Sequence, residues 1–481
     1  MAYADLNQFV SRLRELEELR DIEEEVDPIL EISEIADRVV KKEGPALLFR
    51  RPKGHKIPVL INTFGSERRM CLALETESFD HLAQRIHELL TPEIPEGMIG
   101  KLRALPKLAA LSSLQPNRVR SGACQEVVET TNPSLSALPI LKCWPMDAGP
   151  YITLPLVITR DPENGSRNVG MYRLQVFDER TLGLHWQLHK GSADHYRKAE
   201  ARNERLEVAI ALGPDPALIY AASAPLPDDV DELMLAGFLR KQPVDVVRCK
   251  TVNLEVPANA QIVLEGYAEP GERRMEGPFG DHTGFYSLAE PFPVFHLTAV
   301  TMCRQPIYPT IIVGRPPMED GPMGTATVRV FLPAVRKVVP EIVDMHLPVE
   351  GIFHNLAIVS IRKRYPGHAR KIMHGLWGLG QLMFSKIVVV VDHDCNIHDP
   401  SEVLWRVGTA IDPKRDVLIT EGPVDHLDFA SSLLAYGGKM GIDATRKGPD
   451  EGFTREWPPE IKMSPEVKER VDRLWPKLGL G

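Results

Sequence analysis

The sequence predicts a multidomain protein of mixed α+β and α/β character, with a barrel-like, strand-rich centre. Three observations point there. The chain has 481 residues, more than one hydrophobic core organises, so two or three domains are expected. Residues 151–310 carry many short strand-like runs at close spacing with turn residues between them, the pattern of a barrel-like sheet. Beyond residue 343, apolar runs such as "KIVVVVDHD" alternate with helical segments, the pattern of buried strands in an α/β layer.

Taken in order, "LNQFVSRLREL" has apolar residues at helical spacing and "IPVLINTF" reads as a strand. "SFDHLAQRIHELL" opens with Ser78, a residue suited to an N-cap. Proline and small residues dominate 106–150, an extended connection. Strands follow in "YITLPLVITRD", "NVGMYRLQVFD", "LGLHWQLH", "LEVAIAL", "VDVVRCK" and "IVLEGYAEP", with "DERT" at 178–181 as a hairpin loop. Helices are expected near 192–203 and 231–240. "TATVRVFLPAVRKVVP" at 325–340 is helical apart from Pro333 and bridges to the last domain. There "LAIVSIRKR" and "KIVVVVDHD" are strands, while "GHARKIMHGLWG" and "SEVLWRVGTAI" are helices. The boundaries are 1–115, 116–322, a linker helix at 323–342, and 343–481. No internal repeat or low-complexity tract interrupts this order.

Composition narrows the function. Net charge is -9, which disfavours general affinity for nucleic acid or anionic lipid. No apolar run reaches the ~20 residues of a membrane span. The N-terminus is an amphipathic helix without a secretory pattern. Six scattered cysteines without a C-x-x-C pair suit a reduced, cytoplasmic setting.

Four segments carry candidate chemistry. In "MEGPFGDHTGFYS", 275–287, Glu276 and Asp281 lie close together around Gly277, Pro278 and Gly280. Two neighbouring carboxylates do not both ionise cheaply, so one is expected to titrate high and serve as a general acid. A surface turn rich in glycine, proline and acids is the plainer alternative. In "NVGMYRLQVFDERTLGLHWQLHKG", 168–191, strand alternation puts His185, Gln187 and His189 on one face, and Trp186 and Leu188 on the other. Asn168 and Arg173 differ in parity, so they share a site only if the strand is irregular near Gly170 or Asn168 precedes it. In "DELMLAGFLR", Glu232 either complements the helix dipole or ligates a hard cation such as Mn²⁺ or Mg²⁺. "DHDCNIHD", 392–399, holds His393, Asp394, Cys395, His398 and Asp399, but without a standard zinc spacing, and a polar loop after a strand is the favoured reading. No P-loop, G-x-G-x-x-G or G-x-S-x-G is present.

Together "NVGMYR" with "HWQLHKG", "DELMLAGFLR", "EGPFGDHTGFY" and "DFASSLLAYGGKMGIDATRK" resemble the UbiD family of prenylated-FMN-dependent aromatic and unsaturated acid (de)carboxylases. The resemblance implies a split-barrel-like flavin-binding domain and a C-terminal α/β domain that mediates homo-oligomerisation, as dimer or hexamer. It implies prenylated FMN as cofactor, supplied by a UbiX-type flavin prenyltransferase, with Mn²⁺ or a similar divalent ion and a K⁺ site often nearby. Asn168, His189 and Glu232 match the metal ligands. Met171, Tyr172, Arg173, His185, Trp186, Gln187, Lys190 and Gly191 match the cofactor contacts. Arg173, Glu276 and Asp281 match the catalytic set, with Asp281 as proton donor. Asp at that position and "GGKMGIDATRK" look more like the ubiquinone-pathway branch, which implies a 4-hydroxybenzoate-type acid, with or without a prenyl group. The alternatives are another conjugated or heteroaromatic acid, a metal-dependent hydrolase built on the histidines of 185–189 and 393–398, and a non-catalytic flavin-binding subunit. Intact Arg173, Glu276 and Asp281 argue against the last.

Overall fold

The computed structural model describes residues 2–90, 114–187, 190–226 and 230–479. The first helix, Leu6–Glu15, starts at Asp5, whose carboxylate accepts the Gln8 N–H at 2.9 Å. Its Leu6, Phe9, Val10 and Leu13 form one buried stripe. A four-stranded sheet follows in the order Leu19–Val26, Ala46–Pro52, Val59–Ile61 and Tyr308–Pro309. Its last strand therefore comes from far along the chain. Ser78 Oγ accepts the His81 N–H at 3.1 Å and opens helix Phe79–Leu90. Leu6 and Phe9 share one apolar core with Ala209 and Val263 of the central sheet.

The central sheet has nine strands. Its spatial order is Tyr151–Ile152, Leu174–Val176, Thr181–Leu184, Glu290–Met302, Ile262–Glu276, Leu206–Leu212, Pro155–Arg160 and Arg167–Met171, with Val127–Glu129 pairing to Glu290–Met302. The hairpin at 178–181 forms, with Asp178 accepting from Thr181 Oγ1 at 2.6 Å and from the Arg180 N–H at 2.9 Å. Ile262–Glu276 and Glu290–Met302 make a long antiparallel ribbon whose register shifts between Glu265 and Gly266 and between Ala268 and Arg273. Such bulges bend and twist a long ribbon. The two ends of the strand order, Tyr151–Ile152 and Arg167–Met171, do not pair with each other. The sheet is thus open, and the barrel-like expectation holds only as a loose description.

Helix Asp320–Val338 follows, five residues earlier than its apolar pattern suggests. It runs straight through Pro333, which was expected to interrupt it. A mid-helix proline costs ~3 kcal/mol. Burial of Val328, Leu332 and Val335 against the C-terminal core, and of Val330 against the first core, offsets that cost. Just ahead of the helix, the Glu319 carboxylate accepts the N–H groups of Asn62 and Phe64, each at 2.8 Å, tying the first sheet to this helix.

The C-terminal sheet runs Ile342–His346, Leu356–Ile361, Ile387–Asp392, Tyr436–Asp443 and Val417–Pro423, parallel through its three middle strands. Helices His368–Trp377 and Pro400–Ala410 accompany it, as the alternation predicts. All six cysteines are free and buried. Among the described residues, no helix is long and apolar enough to cross a membrane.

Candidate active site

The break in the central sheet builds the site. Strand Arg167–Met171 stops, Tyr172 and Arg173 bridge, and Leu174–Val176 resumes. The irregularity that Asn168 and Arg173 require therefore falls just after Gly170. It turns Arg173 toward the end of the long ribbon. Glu276 is the last residue of strand Ile262–Glu276, and the chain then turns through Gly277–Gly280 to Asp281. Gly277 has φ +93°, a conformation glycine adopts without strain. Gly280 lies flat on Trp144, where a Cβ would come within 2.2 Å of Cδ1. Asp147 anchors this turn by accepting the Gly280 N–H at 2.8 Å.

Arg173 sits between the two acids. Its Nε donates to Glu276 Oε1 at 3.0 Å and its Nη2 to Glu276 Oε2 at 3.2 Å. Nη1 donates to Asp281 Oδ2, and Nη2 also to Ser287 Oγ at 2.9 Å. The guanidinium lies 4.7 Å from the Phe279 ring centroid, a cation–π contact. His185 Nδ1 donates to Glu276 Oε2 at 2.9 Å. His282 Nδ1 and its backbone N–H meet Asp281 Oδ1 at 2.8 Å and 2.7 Å.

This arrangement overturns the expected high-titrating acid. Burial raises both carboxyls, but opposing partners win. Bonds from His185 and the charge of Arg173 pull Glu276 down to about 2. The charge of Arg173 and the bonds from His282 hold Asp281 below the usual carboxylate range. The cation between the acids removes the like-charge penalty that adjacency alone implies. His185 is lowered, by burial first and by Arg173 second, so its ring is neutral.

Over 185–187 the expected alternation also fails, and Leu188 and His189 lie outside the described residues. The strand ends at Leu184, the Trp186 N–H folds back to the Leu184 carbonyl at 2.7 Å, and His185 and Trp186 are both buried. His185 Nε2 and Trp186 Nε1 are buried polar atoms with no protein partner. The orphan acceptor and donor fit the polar edge of a flavin. The Lys190 ammonium is lowered by burial, with Asp425 the charge that raises it. It precedes helix Gly191–Ala201, whose N-terminus has no side-chain cap. Cation and helix N-terminus together suit a phosphate. A Cβ on Gly191 would collide with the Asn168 amide at 2.8 Å.

Asn168 and Glu232 are brought together from strand and helix. Asn168 Nδ2 donates to Glu232 Oε1 at 3.1 Å, and the Val169 N–H to Oε2 at 3.1 Å. Tyr172 and Ser192 hydroxyls donate to Asn168 Oδ1 at 3.0 Å and 2.9 Å. Asp231, not Glu232, caps the helix. Burial pushes Glu232 up to about 7, opposed by its backbone N–H bonds and by the charge of Arg167. The pair therefore fits a hard divalent ion. His189 lies outside the described residues.

The 392–399 segment behaves as a polar loop. Asp394 pairs with Arg446 at 2.9 Å, Asp399 caps helix Pro400–Ala410, and His398 meets Asp344 at 2.9 Å. Among the described residues, no cluster of three or more His, Cys, Asp or Glu suits a metal. Sequence reasoning missed Gln175, which accepts the Gly277 N–H at 2.8 Å, and Asp147. It also assigned no role to Ser287 or His282, although both stand inside the 275–287 motif.

A cavity of about 240 Å³ opens beside these groups, lined among others by His185, Ser287, Leu288, His426 and Phe429. It therefore joins the central and C-terminal parts of the chain.

Comparison with known proteins agrees with this layout. Residues 117–316 match the 3-octaprenyl-4-hydroxybenzoate carboxy-lyase Rift-related domain, 322–444 its C-terminal domain and 10–87 its N-terminal domain. A protein of Archaeoglobus fulgidus is 53% identical over 477 residues, covering 99% of this chain and 98% of its own. An evolved dimeric form of the UbiD-class enzyme HmfF from Pelotomaculum thermopropionicum, solved with prFMN, superposes with TM-score 0.77 at 34% identity, covering 96% of this chain and 99% of that one. The closed form of vanillic acid decarboxylase from Sedimentibacter hydroxybenzoicus superposes with TM-score 0.87 at 29% identity over the whole of both chains. The three matched domains, in order and along most of the sequence, place this chain in the UbiD family of carboxy-lyases.

Proposed function

We propose that this chain decarboxylates an aromatic acid with prenylated FMN and a divalent ion, Mn²⁺ by preference. The observation that carries the reading is Arg173, buried between Glu276 and Asp281 beside a cavity. Bound prenylated FMN supplies the electron sink for the carbon that loses CO₂. Lys190 and the N-terminus at Gly191 hold its phosphate. Met171, Tyr172, His185, Trp186 and Gln187 line it, and Asn168, His189 and Glu232 hold the ion. In this reading residues 116–322 bind the cofactor, 323–342 link, and 343–481 mediate self-association.

The remaining chemistry belongs to the protein. The planar Arg173 fork receives the substrate carboxylate. That incoming negative charge loosens Asp281 from Arg173 and raises its affinity for a proton. Asp281 then delivers the proton to the carbon that lost CO₂. Glu276 and His185 keep Arg173 in place throughout.

The substrate is read as an acid of the 4-hydroxybenzoate type, with or without a prenyl group, entering beside Arg173 where the cavity meets His185 and Ser287. HmfF is named a UbiD-class enzyme and was solved with prFMN, and the Sedimentibacter protein is named a vanillic acid decarboxylase; they support the reaction more than the substrate. The hydrolase alternative finds no support, since His185 is committed to Glu276 and His398 to Asp344. The test is protein produced with and without a UbiX-type prenyltransferase, assayed for CO₂ release from hydroxybenzoates, cinnamates and heteroaromatic acids. Turnover confined to the prenylated preparation is expected. Strong turnover with plain FMN overturns the reading.

A further inference from the structure

The proton donor's second oxygen leads out of its own domain. Asp281 is only 7% exposed, with Oδ2 on Arg173 and Oδ1 on His282. His282 Nε2 then lies 3.0 Å from Nε2 of His354, which belongs to the C-terminal part of the chain. One of these two nitrogens must carry the proton of that contact and the other must accept it. The chain is strained to put His354 there. Ile352 and Phe353, neither a glycine, both have left-handed φ, 49° and 46°. For such residues this conformation is costly, and it persists only where surroundings enforce it. Here Phe353 stacks on His282 at 5.5 Å, and Gly324 of the linker helix makes room, since a Cβ there would lie 2.9 Å from Phe353.

The charges around the pair give the wire a direction. Burial lowers His282, yet the bond and charge of Asp281, with Asp320 and Asp425 beyond, raise it above its ordinary value. Burial and the His282 charge push His354 down to about 4, opposed by Asp425 and Asn355 and assisted by Lys190. The proton therefore rests on His282, next to Asp281.

We propose that His354 is a positioning residue for Asp281: acting through His282, it fixes that ring and carries back the proton Asp281 spends in each turnover. This rests on the decarboxylase reading. The balance is simple. Asp281 gives one proton to carbon, His282 Nδ1 returns one to Asp281, and His282 Nε2 is resupplied from His354, whose own Nδ1 is a buried polar atom with no protein partner, the place where an ordered water would hand on the proton.

Three variants test it in cofactor-loaded enzyme: His354→Ala, His354→Phe and His354→Gln. Gln keeps a hydrogen-bond acceptor, its amide oxygen, for His282 Nε2 but cannot relay a proton. All three are expected to keep prenylated-flavin absorption, melting temperature and KM. Their kcat should fall about tenfold or more, short of the ~10²–10⁴-fold of a direct proton donor. The solvent deuterium isotope effect should grow, and added imidazole should restore the Ala variant. Full activity in Gln overturns the relay, and so does an unchanged isotope effect in all three. A readout independent of turnover is ¹⁵N-histidine NMR of the cofactor-free protein. A slowly exchanging imidazole proton shared by the two rings should vanish in His354→Phe. Its absence from wild type overturns the pair. Failure of wild type on every acid overturns the decarboxylase reading instead.

Discussion

Glu276→Gln removes one negative charge from the centre of the site while keeping its shape. In the wild type, Glu276 is fully buried and meets Arg173 at 3.0 Å and 3.2 Å and His185 at 2.9 Å. A glutamine can accept one of these bonds, but its amide N–H groups then face donors. Holding this carboxyl at about 2, against 4.5 unperturbed, contributes about 3 kcal/mol at neutral pH. Breaking a buried ion pair costs a similar ~3–5 kcal/mol. The sign follows from a depressed carboxyl. Its stabilisation is present above about 4.5 and is lost as pH falls through about 2, with roughly half remaining near pH 3. Urea unfolding of wild type and variant, followed at pH 7 and pH 3, is the assay. The variant should be less stable by about 3 kcal/mol at pH 7, and the gap should narrow by roughly half at pH 3. Equal stability at pH 7, or a gap independent of pH, would refute the argument that Glu276 is ionised and held by Arg173 and His185.

Other outcomes follow from the same geometry. Asp281→Asn should keep cofactor and ion yet lose turnover by ~10²–10⁴-fold, and in D₂O the wild type alone should place one deuterium at the vacated carbon. Near-normal exchange at that carbon in the variant would assign the proton to another group. Glu232→Gln should purify without bound manganese and with reduced prenylated flavin, read by elemental analysis and absorption; full occupancy of both would remove Glu232 from the ion site. Gly280→Ala places a Cβ about 2.2 Å from Trp144 Cδ1. Overpacking of this kind costs about 1–3 kcal/mol, so lower melting temperature and lower kcat should appear together, and an unaffected variant would show that the turn tolerates displacement.

Much of the architecture was legible because it is written in local periodicity. The helices at 6–15, 79–90 and 232–240, the hairpin at 178–181 and the alternating C-terminal strands all follow from short-range patterns. So do the motifs that mark the family, since they are contiguous. Pro333 shows the limit of local rules: propensity argues for a break, and burial of the surrounding face decides otherwise. The open edges of the central sheet, and its borrowing of Tyr308–Pro309 for the first sheet, depend on pairings between distant strands that no window of sequence contains.

The chemistry of the site divides the same way. Spacing alone placed Glu276 and Asp281 close together, and the resemblance to the UbiD family joined Arg173 to them as a set. Spacing alone argued that one of them titrates high. Tertiary structure put Arg173 between them, His185 behind Glu276 and His282 against Asp281, and so held both carboxyls low. It also brought His354 from 72 residues away to His282. A pKa is a sum over neighbours in space, and those neighbours come from a sheet break, a ribbon end and a second domain. Sequence names the groups that can ionise; only the folded chain decides which charges they face.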